Sequence, residues 1–473
     1  MKKRVFISGV TGTMGEAALT HLLKHNDLLT ISTIVRDTKK NRKIMEKFKK
    51  FDVDIVWGDL RDYRAVKKAL LGVDYIFHIA AFVSPEADRS PKLAWDINVG
   101  STINILKAVN ELSLKKVKLV YIGSVAETGS RLPPIHFGRV GDPLKPSIFD
   151  NYAVTKIAAE RKVIESGLKY WVSLRQTGIL HPGLLNVRDG IIFHQPLNNV
   201  LEWVTVEDSA RIIENIFIKD LPDRFWKNIY NVGGGEDFRK TNYEFTSLML
   251  ETVGVKDIKK IFNPNWFASR NFHGHYYLDS HILNDYLDFR KDSFKGFLEK
   301  LKKEASLPAK LLRFIPSALI KHLIMKPIAK SKEAPLGWIE SKNLDKTKAF
   351  FGSIEEYRSI KSWDELKSKE DYKEYKILDH GYDESKDINT LNIDDMKRAA
   401  EFRGGKCLSS SMIEGDLDTK LKWKCGLNHI FSASPRLILK GGHFCEECEA
   451  PPWQYDKIAK TNPFFAQVWQ AES

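Results

Sequence analysis

The sequence contains little cysteine. Its 473 residues include only Cys407, Cys425, Cys445 and Cys448, all near the C-terminus. A secreted fold held by disulfides distributes its cysteines along the chain, so this arrangement argues against a disulfide framework. The four cysteines indicate a local feature of the C-terminal part.

The sequence also lacks a long apolar run. No apolar stretch reaches the roughly 18 residues that a membrane-spanning helix needs. The N-terminal MKKRVFISGVTG holds only a short apolar run before glycine interrupts it, which is too short for a signal peptide. Since 43% of the residues are hydrophobic, there is ample material for a core. We therefore expect a soluble, cytoplasmic protein of two or three domains.

The sequence has few segments in which charges of one sign predominate. The net charge of +13 would suit a nucleic-acid or anionic-membrane partner, but lysines and acids alternate along most of the sequence. A solvated basic surface is the simpler interpretation. The segment RDTKKNRK, residues 36–43, is a local basic excess.

Apolar runs of strand length alternate with helix-period segments through residues 1–235. The predicted strands are RVFIS, TISTIV, VDIVW, DYIFHI, VKLVYIG and YWVSLR. This βαβ alternation predicts an α/β fold with a Rossmann-type, doubly wound parallel sheet.

The first predicted strand runs into GVTGTMG, and the helical pattern EAALTHLLKH follows. Glycine allows a tight turn and close backbone approach to a pyrophosphate, while a helix N-terminus supplies N–H donors. The segment therefore predicts a dinucleotide site, with an ordinary glycine turn as the alternative. Its residues are Gly9, Thr11, Gly12, Thr13, Met14 and Gly15.

The second predicted strand ends at TIVRD, where an NAD-binding fold usually has a carboxylate that accepts hydrogen bonds from the ribose. Here the residue is Arg36, followed by Asp37, Lys39 and Lys40. A guanidinium cannot accept those bonds but pairs with a 2′-phosphate. The sequence therefore favours NADP, and Asp37 keeps NAD as the alternative.

A candidate catalytic group comes next. YIGSVAETGS places Ser124 just past a strand, and NYAVTKIAAERKV places Tyr152 and Lys156 on one helical face. A nearby ammonium stabilises a phenolate, so Lys156 can tune Tyr152 while Ser124 holds a substrate oxygen. The alternative is that Tyr152 and Lys156 are only surface neighbours on a helix and that Ser124 is only a cap.

Residues 1–235 resemble the extended short-chain dehydrogenase/reductase family, which includes nucleotide-sugar epimerases and dehydratases. Besides the glycine segment and the triad, the matching pieces are GDLRD, HIAA, NVGSTINIL, LRQTGI, WVTVEDSA and YNVGGG. The resemblance implies that Asp59 and Leu60 flank the adenine and that Ala80 and Ala81 line the cofactor groove. It also implies that Lys156 contacts the nicotinamide ribose.

Two departures from the family pattern bear on the reaction. Val125 and Ala126 follow Ser124 where dehydratases usually carry an acidic pair, and AETG replaces the Tyr-Gly of familiar sugar epimerases. With Arg36, the pattern is similar to the NADP-dependent ketone and aldehyde reductases of the family. We expect hydride transfer to or from a small carbonyl or alcohol substrate, with proton transfer by Tyr152. An NAD-dependent nucleotide-sugar epimerase or dehydratase is the alternative.

Residues 236–366 are interpreted as a small, mostly helical substrate region. The loops nearby supply possible anion contacts at His136, Arg139, Arg188, His194, Arg270, His273 and His275, although loop residues of these types more often lie on the surface. Residues 306–330 are apolar at helical spacing, with a basic complement and a helix-breaking Pro316. They predict either a helix pair over the cleft or at a homodimer contact, or an interfacial membrane segment.

A charged linker, 367–392, precedes a small module at 393–450. The spacing Cys425-x3-His429 and Cys445-x2-Cys448 suits a closed tetrahedral zinc site, with a redox CxxC as the alternative. Cys407 is the remaining cysteine, and it either packs in the module or replaces His429 as the fourth zinc ligand. We expect the zinc to be structural, because such a small unit cannot rely on its core alone.

The module resembles treble-clef or zinc-ribbon units, except that Asn428 stands where those units usually have glycine. Such units often accompany nucleic-acid enzymes, so a scaffold that binds nucleic acid or another partner is a second hypothesis. A dense basic stripe is missing from 422–449, which argues against nucleic acid as a partner. The tail, 451–473, is rich in aromatic residues and should dock on the enzyme part or on a second subunit.

Overall fold

The computed structural model describes residues 2–186, 188–363, 372–449, 451 and 453–469. Seven parallel strands form the central sheet in the order β7-β6-β5-β4-β1-β2-β3. They are β1 Lys3–Ser8, β2 Leu29–Val35, β3 Val53–Trp57, β4 Tyr75–His78, β5 Lys118–Ser124, β6 Tyr170–Gln176 and β7 Asn228–Val232. This is the doubly wound Rossmann order, so the predicted fold class is confirmed.

The alternation of apolar runs predicts the first six strands, and the structure confirms each of them. The seventh, β7, has the sequence NIYNV, whose two asparagines interrupt the apolar run. It pairs with β6 along its whole length, from Asn228 opposite Val172 to Val232 opposite Gln176. Pairing with a neighbour in space thus completes a strand that the local pattern does not reveal.

Helices cover both faces of the sheet. Those of the N-terminal part are α1 Thr13–Leu22, α2 Lys39–Met45, α3 Tyr63–Ala69, α4 Pro91–Glu111, α5 Asn151–Ile164 and α6 Val206–Ile218. Because both faces are covered, alternate residues of a strand enter different cores: Val5 and Ile7 face one apolar cluster, and Phe6 faces the other.

The region after β7 is mostly helical. It contains α7 Asn242–Glu251, α8 Ser280–Leu287, α9 Phe294–Glu304, α10 Pro335–Glu340, α11 Leu344–Phe351 and α12 Ile354–Ser359. Between α9 and α10 the chain forms short helical pieces, and Pro316 separates Leu307–Leu311 from Ser317–Leu319 as expected. Among the described residues, no helix is both long and apolar enough to cross a membrane.

The C-terminal part begins with α13 Ile393–Phe402 and a three-stranded antiparallel sheet of β8 Lys406–Cys407, β9 Leu421–Lys424 and β10 Ile430–Ala433. Its remaining helices are α14 Pro435–Leu439, α15 Glu446–Glu449, α16 Tyr455–Thr461 and α17 Pro463–Trp469. Trp423 and Leu437 belong to the same apolar cluster as Tyr121 and Ala159 of the N-terminal part. One continuous core therefore joins the small sheet to the large one.

The start of the predicted linker, 367–371, lies outside the described residues. The following residues run along the N-terminal part: the Tyr372 carbonyl accepts a hydrogen bond from His136, and Leu378 is buried with Ile135. The aromatic tail lies beside them, where the Tyr455 hydroxyl donates to the Pro146 carbonyl over 2.7 Å. Both segments thus cover the loop between β5 and α5.

Candidate functional site

The glycine segment forms a tight turn between β1 and α1. Gly9 has φ of +79°, and a Cβ there would lie 2.8 Å from the Ala80 backbone nitrogen. A Cβ on Gly15 would lie 2.0 Å from the Gly9 carbonyl oxygen. Gly12 is the exposed N-cap of α1 and leaves the first N–H groups without a side-chain cap. This backbone cradle fits a pyrophosphate, as the sequence predicts.

A buried network fixes the chain opposite this turn. The Ser8 hydroxyl accepts from the Ala80 N–H over 3.1 Å and lies 2.9 Å from His78 Nδ1, while His78 Nε2 lies 3.0 Å from the Thr102 hydroxyl. Burial and Lys156 lower the pKa of His78 to about 3, so the ring is neutral. The network holds the end of β4, and with it Ala80 and Ala81, against the glycine turn.

The end of β2 carries the residues that the sequence predicts to meet the cofactor ribose. Arg36 is exposed there. Both oxygens of Asp37 accept hydrogen bonds from Arg42, each over 2.6 Å, and these bonds lower the pKa of Asp37. Arg42 also lies over the Trp57 ring, 4.6 Å from its centre. The carboxylate that would favour NAD is therefore engaged.

The segment predicted to flank the adenine follows β3. Asp59 is partly exposed and accepts from the backbone and guanidinium of Arg61, which lowers the pKa of Asp59; Arg36 acts in the same direction. Leu60 packs against the sheet core. Arg36 and Asp59 therefore lie on the same side of the sheet edge, close enough to interact.

Ser124 ends β5 and begins a short turn over Val125–Glu127. Its hydroxyl accepts from the Ala126 N–H, and its own N–H donates to Glu127 over 2.7 Å, so it serves as a cap. The Ser124 side chain also lies close enough to Tyr152 to act on its pKa. Burial raises the pKa of Tyr152; Ser124 opposes this shift, and Glu127 and Asp150 add to it. The structure thus brings the predicted serine and tyrosine together.

Lys156 is buried one turn after Tyr152 on α5. Its Nζ donates to the Ile122 carbonyl over 2.5 Å and lies 4.1 Å from the centre of the Tyr121 ring. Burial lowers the pKa of Lys156 to about 8, against the opposing effect of Glu127 and Glu160. The expected lowering of the Tyr152 pKa by Lys156 is not seen in this arrangement, because the ammonium is directed at the carbonyl of β5.

A buried charge cluster beneath the triad was not expected from the sequence. Arg175 donates to Glu160 over 2.6 Å and lies 3.4 Å from Glu127, and all three side chains are essentially unexposed. Burial and the charge of Glu160 raise the pKa of Glu127. For Glu160, burial raises the pKa, but the charge of Arg175 lowers it, and the net shift is downward. The Ser-x-x-Glu spacing from Ser124 to Glu127 is a capping-box signal that marks Glu127 in the sequence.

Two carboxylates hold the start of α5. Asp150 accepts from the Ala153 N–H over 2.8 Å, and Asp88 accepts from the Asn151 N–H over 2.8 Å. Burial and the neighbouring Asp150 raise the pKa of Asp88 to about 6. His273 Nδ1 lies 3.3 Å from Asp150. The helix that carries Tyr152 is thereby fixed at its first turn.

The other candidate anion contacts take structural positions or lie at the surface. His136, His194 and His275 are hydrogen-bonded to carbonyl or hydroxyl groups, and Arg139 and Arg270 pair with Glu384 and Glu356. Arg188 lines an open cavity of about 410 Å³ together with Arg89, Asp189, Lys332 and Glu333.

The predicted zinc ligands converge. The ligand atoms of Cys425, His429, Cys445 and Cys448 all lie within 4.8 Å of one another. Cys425 and Cys448 sulfurs are 3.9 Å apart, and His429 Nδ1 lies 3.4 Å from Cys445 and 3.5 Å from Cys448. Zn–S bonds of about 2.3 Å in a tetrahedron put sulfurs about 3.8 Å apart, so the spacing fits zinc.

The neighbours of these ligands fit the same interpretation. Asn428 has φ of +69°, a left-handed conformation that asparagine adopts more readily than most residues, so it can replace the usual glycine. The second ring nitrogen of His429 lies 3.5 Å from Glu447, as expected of an outer carboxylate that orients a ligand. Cys407 pairs with Trp423 in the small sheet and lies outside the ligand group.

The module docks on the same helix that carries Tyr152 and Lys156. His443 Nε2 lies 3.0 Å from Glu160, and the Gly441 carbonyl accepts from Arg175 over 2.6 Å. The next residue of α5, Arg161, donates to Glu449 over 2.9 Å. Buried polar contacts thus extend from Arg175 and Glu160, below Ser124, to Glu449, which follows the predicted zinc ligand Cys448.

Comparison with known proteins finds a family model that matches the N-terminal part. Residues 5–233 match the model of the NAD dependent epimerase/dehydratase family. The UDP-glucose 4-epimerases of Rickettsia massiliae (strain Mtu5) and Rickettsia bellii (strain RML369-C) are 34% and 32% identical over 119 residues. These matches cover 24% of this chain and 35% of each relative, so the chain spans about a third of the length of these curated relatives.

Solved structures share the fold. The dTDP-glucose 4,6-dehydratase of Streptomyces venezuelae, with NAD and TYD bound, is 23% identical, with a TM-score of 0.52 over 63% of this chain and 96% of that one. The UDP-glucose 4-epimerase of Thermus thermophilus, in complex with NAD, is 21% identical, with a TM-score of 0.50 over 64% and 100%. At this level of identity the likeness shows the architecture of the N-terminal part.

Proposed function

We propose that the protein is a nicotinamide-dependent oxidoreductase, because residues 5–233 match the model of the NAD dependent epimerase/dehydratase family. Bound cofactor would supply a hydride to, or accept one from, a substrate carbon. The observation that carries the proposal is the tight glycine turn between β1 and α1, where the helix N-terminus has no side-chain cap. Ser124 and Tyr152 lie close together in the same part of the fold.

The chain's own residues would act on the substrate oxygen. Ser124 would hold the carbonyl oxygen, and Tyr152 would move a proton to or from it, a contribution typically of about 10²- to 10⁴-fold. Lys156, held at Ile122 and Tyr121, would contact the nicotinamide ribose, as family resemblance implies. Asp59, Leu60, Ala80 and Ala81 would line the adenine end and the groove.

We propose that the cofactor is NADP rather than NAD. The support is the exposed Arg36 at the end of β2 together with the engagement of Asp37 by Arg42. An exposed guanidinium can pair with a 2′-phosphate, whereas a carboxylate already bonded to arginine through both oxygens is a weaker ribose acceptor.

The substrate would enter from the helical side, residues 236–366. The open cavity lined by Arg89, Arg188 and Lys332 lies there, beyond the Asp88 that fixes the start of α5. Asp189 and Glu333 also line it, but Asp189 pairs with Arg89 and Glu333 with Lys346. Arg188 and Lys332 would then suit an anionic group on a substrate whose reacting part is a carbonyl or an alcohol.

We propose that Cys425, His429, Cys445 and Cys448 hold a structural zinc ion. Four protein ligands leave no open position, so the ion would stabilise the module at 393–450 rather than take part in the reaction. A thiolate-rich site suits the reducing cytoplasm, where we place the protein. The linker and tail would then hold the module against the loop between β5 and α5.

A thermal-shift screen tests the proposed function. NADP(H) and NAD(H) are added to the full chain, alone and with a panel of carbonyl compounds. A bound ligand raises the melting temperature in proportion to its occupancy, so NADP(H) should stabilise most. Absence of a shift with either dinucleotide would refute the cofactor assignment.

The Tyr152→Phe variant tests the reaction once a substrate is found. Turnover should fall by about 10²-fold or more, while the thermal shift caused by NADP stays the same. Unchanged turnover would refute the role of Tyr152.

A sugar-nucleotide epimerase is the second candidate, favoured by the identity to UDP-glucose 4-epimerases over 119 residues. Such an enzyme regenerates its cofactor in each cycle. Purified protein that retains NAD without exchange would favour this candidate, whereas net consumption of NADPH would favour the reductase.

A further inference from the structure

The segment between α9 and α10 has two apolar faces. Its inner face packs on the helical region: Ile320 and Ala329 are buried beside Phe193 and Trp266, and Leu312, Ile324, Met325 and Ile328 pack around them. The segment therefore covers an internal core, which agrees with the first of its two sequence interpretations.

The outer face is left uncovered. Its side chains are Leu307, Leu311, Phe314, Ile315, Leu319 and Leu323, with exposures from 37% to 72%. They make up six of the 21 exposed large hydrophobic residues in the described part of the chain, yet they fall within 17 consecutive positions. A concentration of this kind marks an interaction surface rather than the scattered apolar residues of an ordinary exterior.

The charge around this face selects its partner. Residues 305–332 contain six lysines or arginines and no aspartate or glutamate. Lys310 and Arg313 lie between the exposed apolar positions, and Lys326, Lys330 and Lys332 follow them. Basic residues beside exposed leucine and phenylalanine are the pattern by which a helix lies on an anionic lipid surface.

A second copy of the chain fits this face less well. A symmetric dimer would place the same patch on both sides of the contact. The cations of the two copies would then meet, and residues 305–332 contain no acidic residue to neutralise them. We propose that residues 307–323, which we call the outer patch, bind the surface of an anionic membrane. The proposal is independent of the oxidoreductase function.

Vesicle co-sedimentation of the full chain tests the proposal. The protein is mixed with vesicles of phosphatidylcholine containing about 30% phosphatidylserine, or with vesicles of phosphatidylcholine alone, and sedimented at low and high salt. The test variant is Leu307→Ser/Phe314→Ser/Leu323→Ser, whose three positions are 70–72% exposed, so the fold should survive. The matched control is Leu28→Ser/Leu344→Ser/Ile413→Ser, at positions 51–75% exposed and dispersed over the surface.

The unmodified protein and the control should sediment with anionic vesicles at least about tenfold more than with neutral ones, and high salt should weaken this binding. The outer-patch variant should lose it. Equal sedimentation of variant and unmodified protein, or no sedimentation with anionic vesicles, would overturn the proposal. A dimer in light scattering that only the outer-patch variant loses, without vesicle binding, would instead assign the face to a subunit contact.

Discussion

His443 of the C-terminal module and Glu160 of α5 lie 3.0 Å apart, and neither side chain is exposed. Glu160 also accepts from Arg175, whose charge faces Glu127 below Ser124. The module therefore supplies part of the hydrogen-bonding shell of a charge cluster that lies under the proposed active site. Without the module, buried charges on α5 would lose partners.

Replacing His443 should weaken the whole protein rather than the module alone. We expect His443→Ala to lower the free energy of unfolding by about 1.5–3 kcal/mol, the usual cost of losing a hydrogen bond to a charged group. Urea unfolding followed by circular dichroism measures this change. An exposed histidine, His322, gives the control His322→Ala.

A double-mutant cycle with Glu160→Gln separates the contact from cavity effects. Coupling between the two positions should be about 0.5–3 kcal/mol, as found for residues that share one network. Strictly additive effects would contradict the bridge between module and helix.

Zinc content distinguishes the ligand cysteines from Cys407. The Cys445→Ser variant should lose zinc in elemental analysis, because three ligands do not close a tetrahedral site. Trp423, buried with its indole N–H donating to Ala433, should then become exposed and shift its fluorescence to longer wavelength.

The Cys407→Ser variant is the matched control, since Cys407 lies outside the ligand group. It should keep one zinc ion per chain. Loss of zinc in this variant, with retention in Cys445→Ser, would reverse the assignment.

The proposed preference for NADP would depend on two arginines with different roles. Arg36→Ala should weaken NADP binding by about 10- to 100-fold, the equivalent of one charge-assisted contact, and leave NAD binding nearly unchanged. Arg42→Ala should release Asp37 and strengthen NAD binding, because the freed carboxylate can accept from the ribose.

Isothermal titration with both cofactors measures these affinities. Arg224→Ala, an exposed arginine just before β7, is the control because strands of a parallel sheet begin at the edge away from the cofactor. Equal affinities of the Arg36 variant and the unmodified protein for NADP would contradict the assignment.

The neutral His78 should make stability depend on pH. An unfolded histidine titrates near pH 6.5, while burial lowers the pKa of His78 to about 3 in the folded chain. Between these values the unfolded state binds the extra proton. The contribution of His78 is therefore complete above pH 6.5 and is lost as the pH falls towards 3, at up to about 1.4 kcal/mol per pH unit.

Urea unfolding of His78→Gln between about pH 5 and 8 tests this dependence. His194 and His275 are also buried with lowered pKa values, and they still affect stability in the variant. The difference between variant and unmodified protein in the slope of unfolding free energy against pH therefore reports His78 alone. Below pH 6.5, the free energy of unfolding of the variant should fall less steeply than that of the unmodified protein or of the control His322→Gln. Identical slopes would mean that His78 is already protonated in the fold.

The sequence by itself determined the features that depend on short spacing. A turn between strand and helix needs glycine at fixed positions, so Gly9 and Gly15 can be read directly. A helix brings Tyr152 and Lys156 to one face, and two pairs of cysteine and histidine residues mark the proposed zinc site, because each constraint acts within a few residues of chain. The first six strands follow from the same local logic.

Only the tertiary structure decided what joins distant parts of the chain. His443 and Glu160 are separated by 283 positions, and no periodicity predicts that they share a buried hydrogen bond. The same holds for the direction of the Lys156 ammonium and for the second apolar face at 307–323, since a helical pattern shows which residues are apolar but not which of them find a partner. Burial and charge pairing are properties of packed surfaces, and these exist only once the chain has folded.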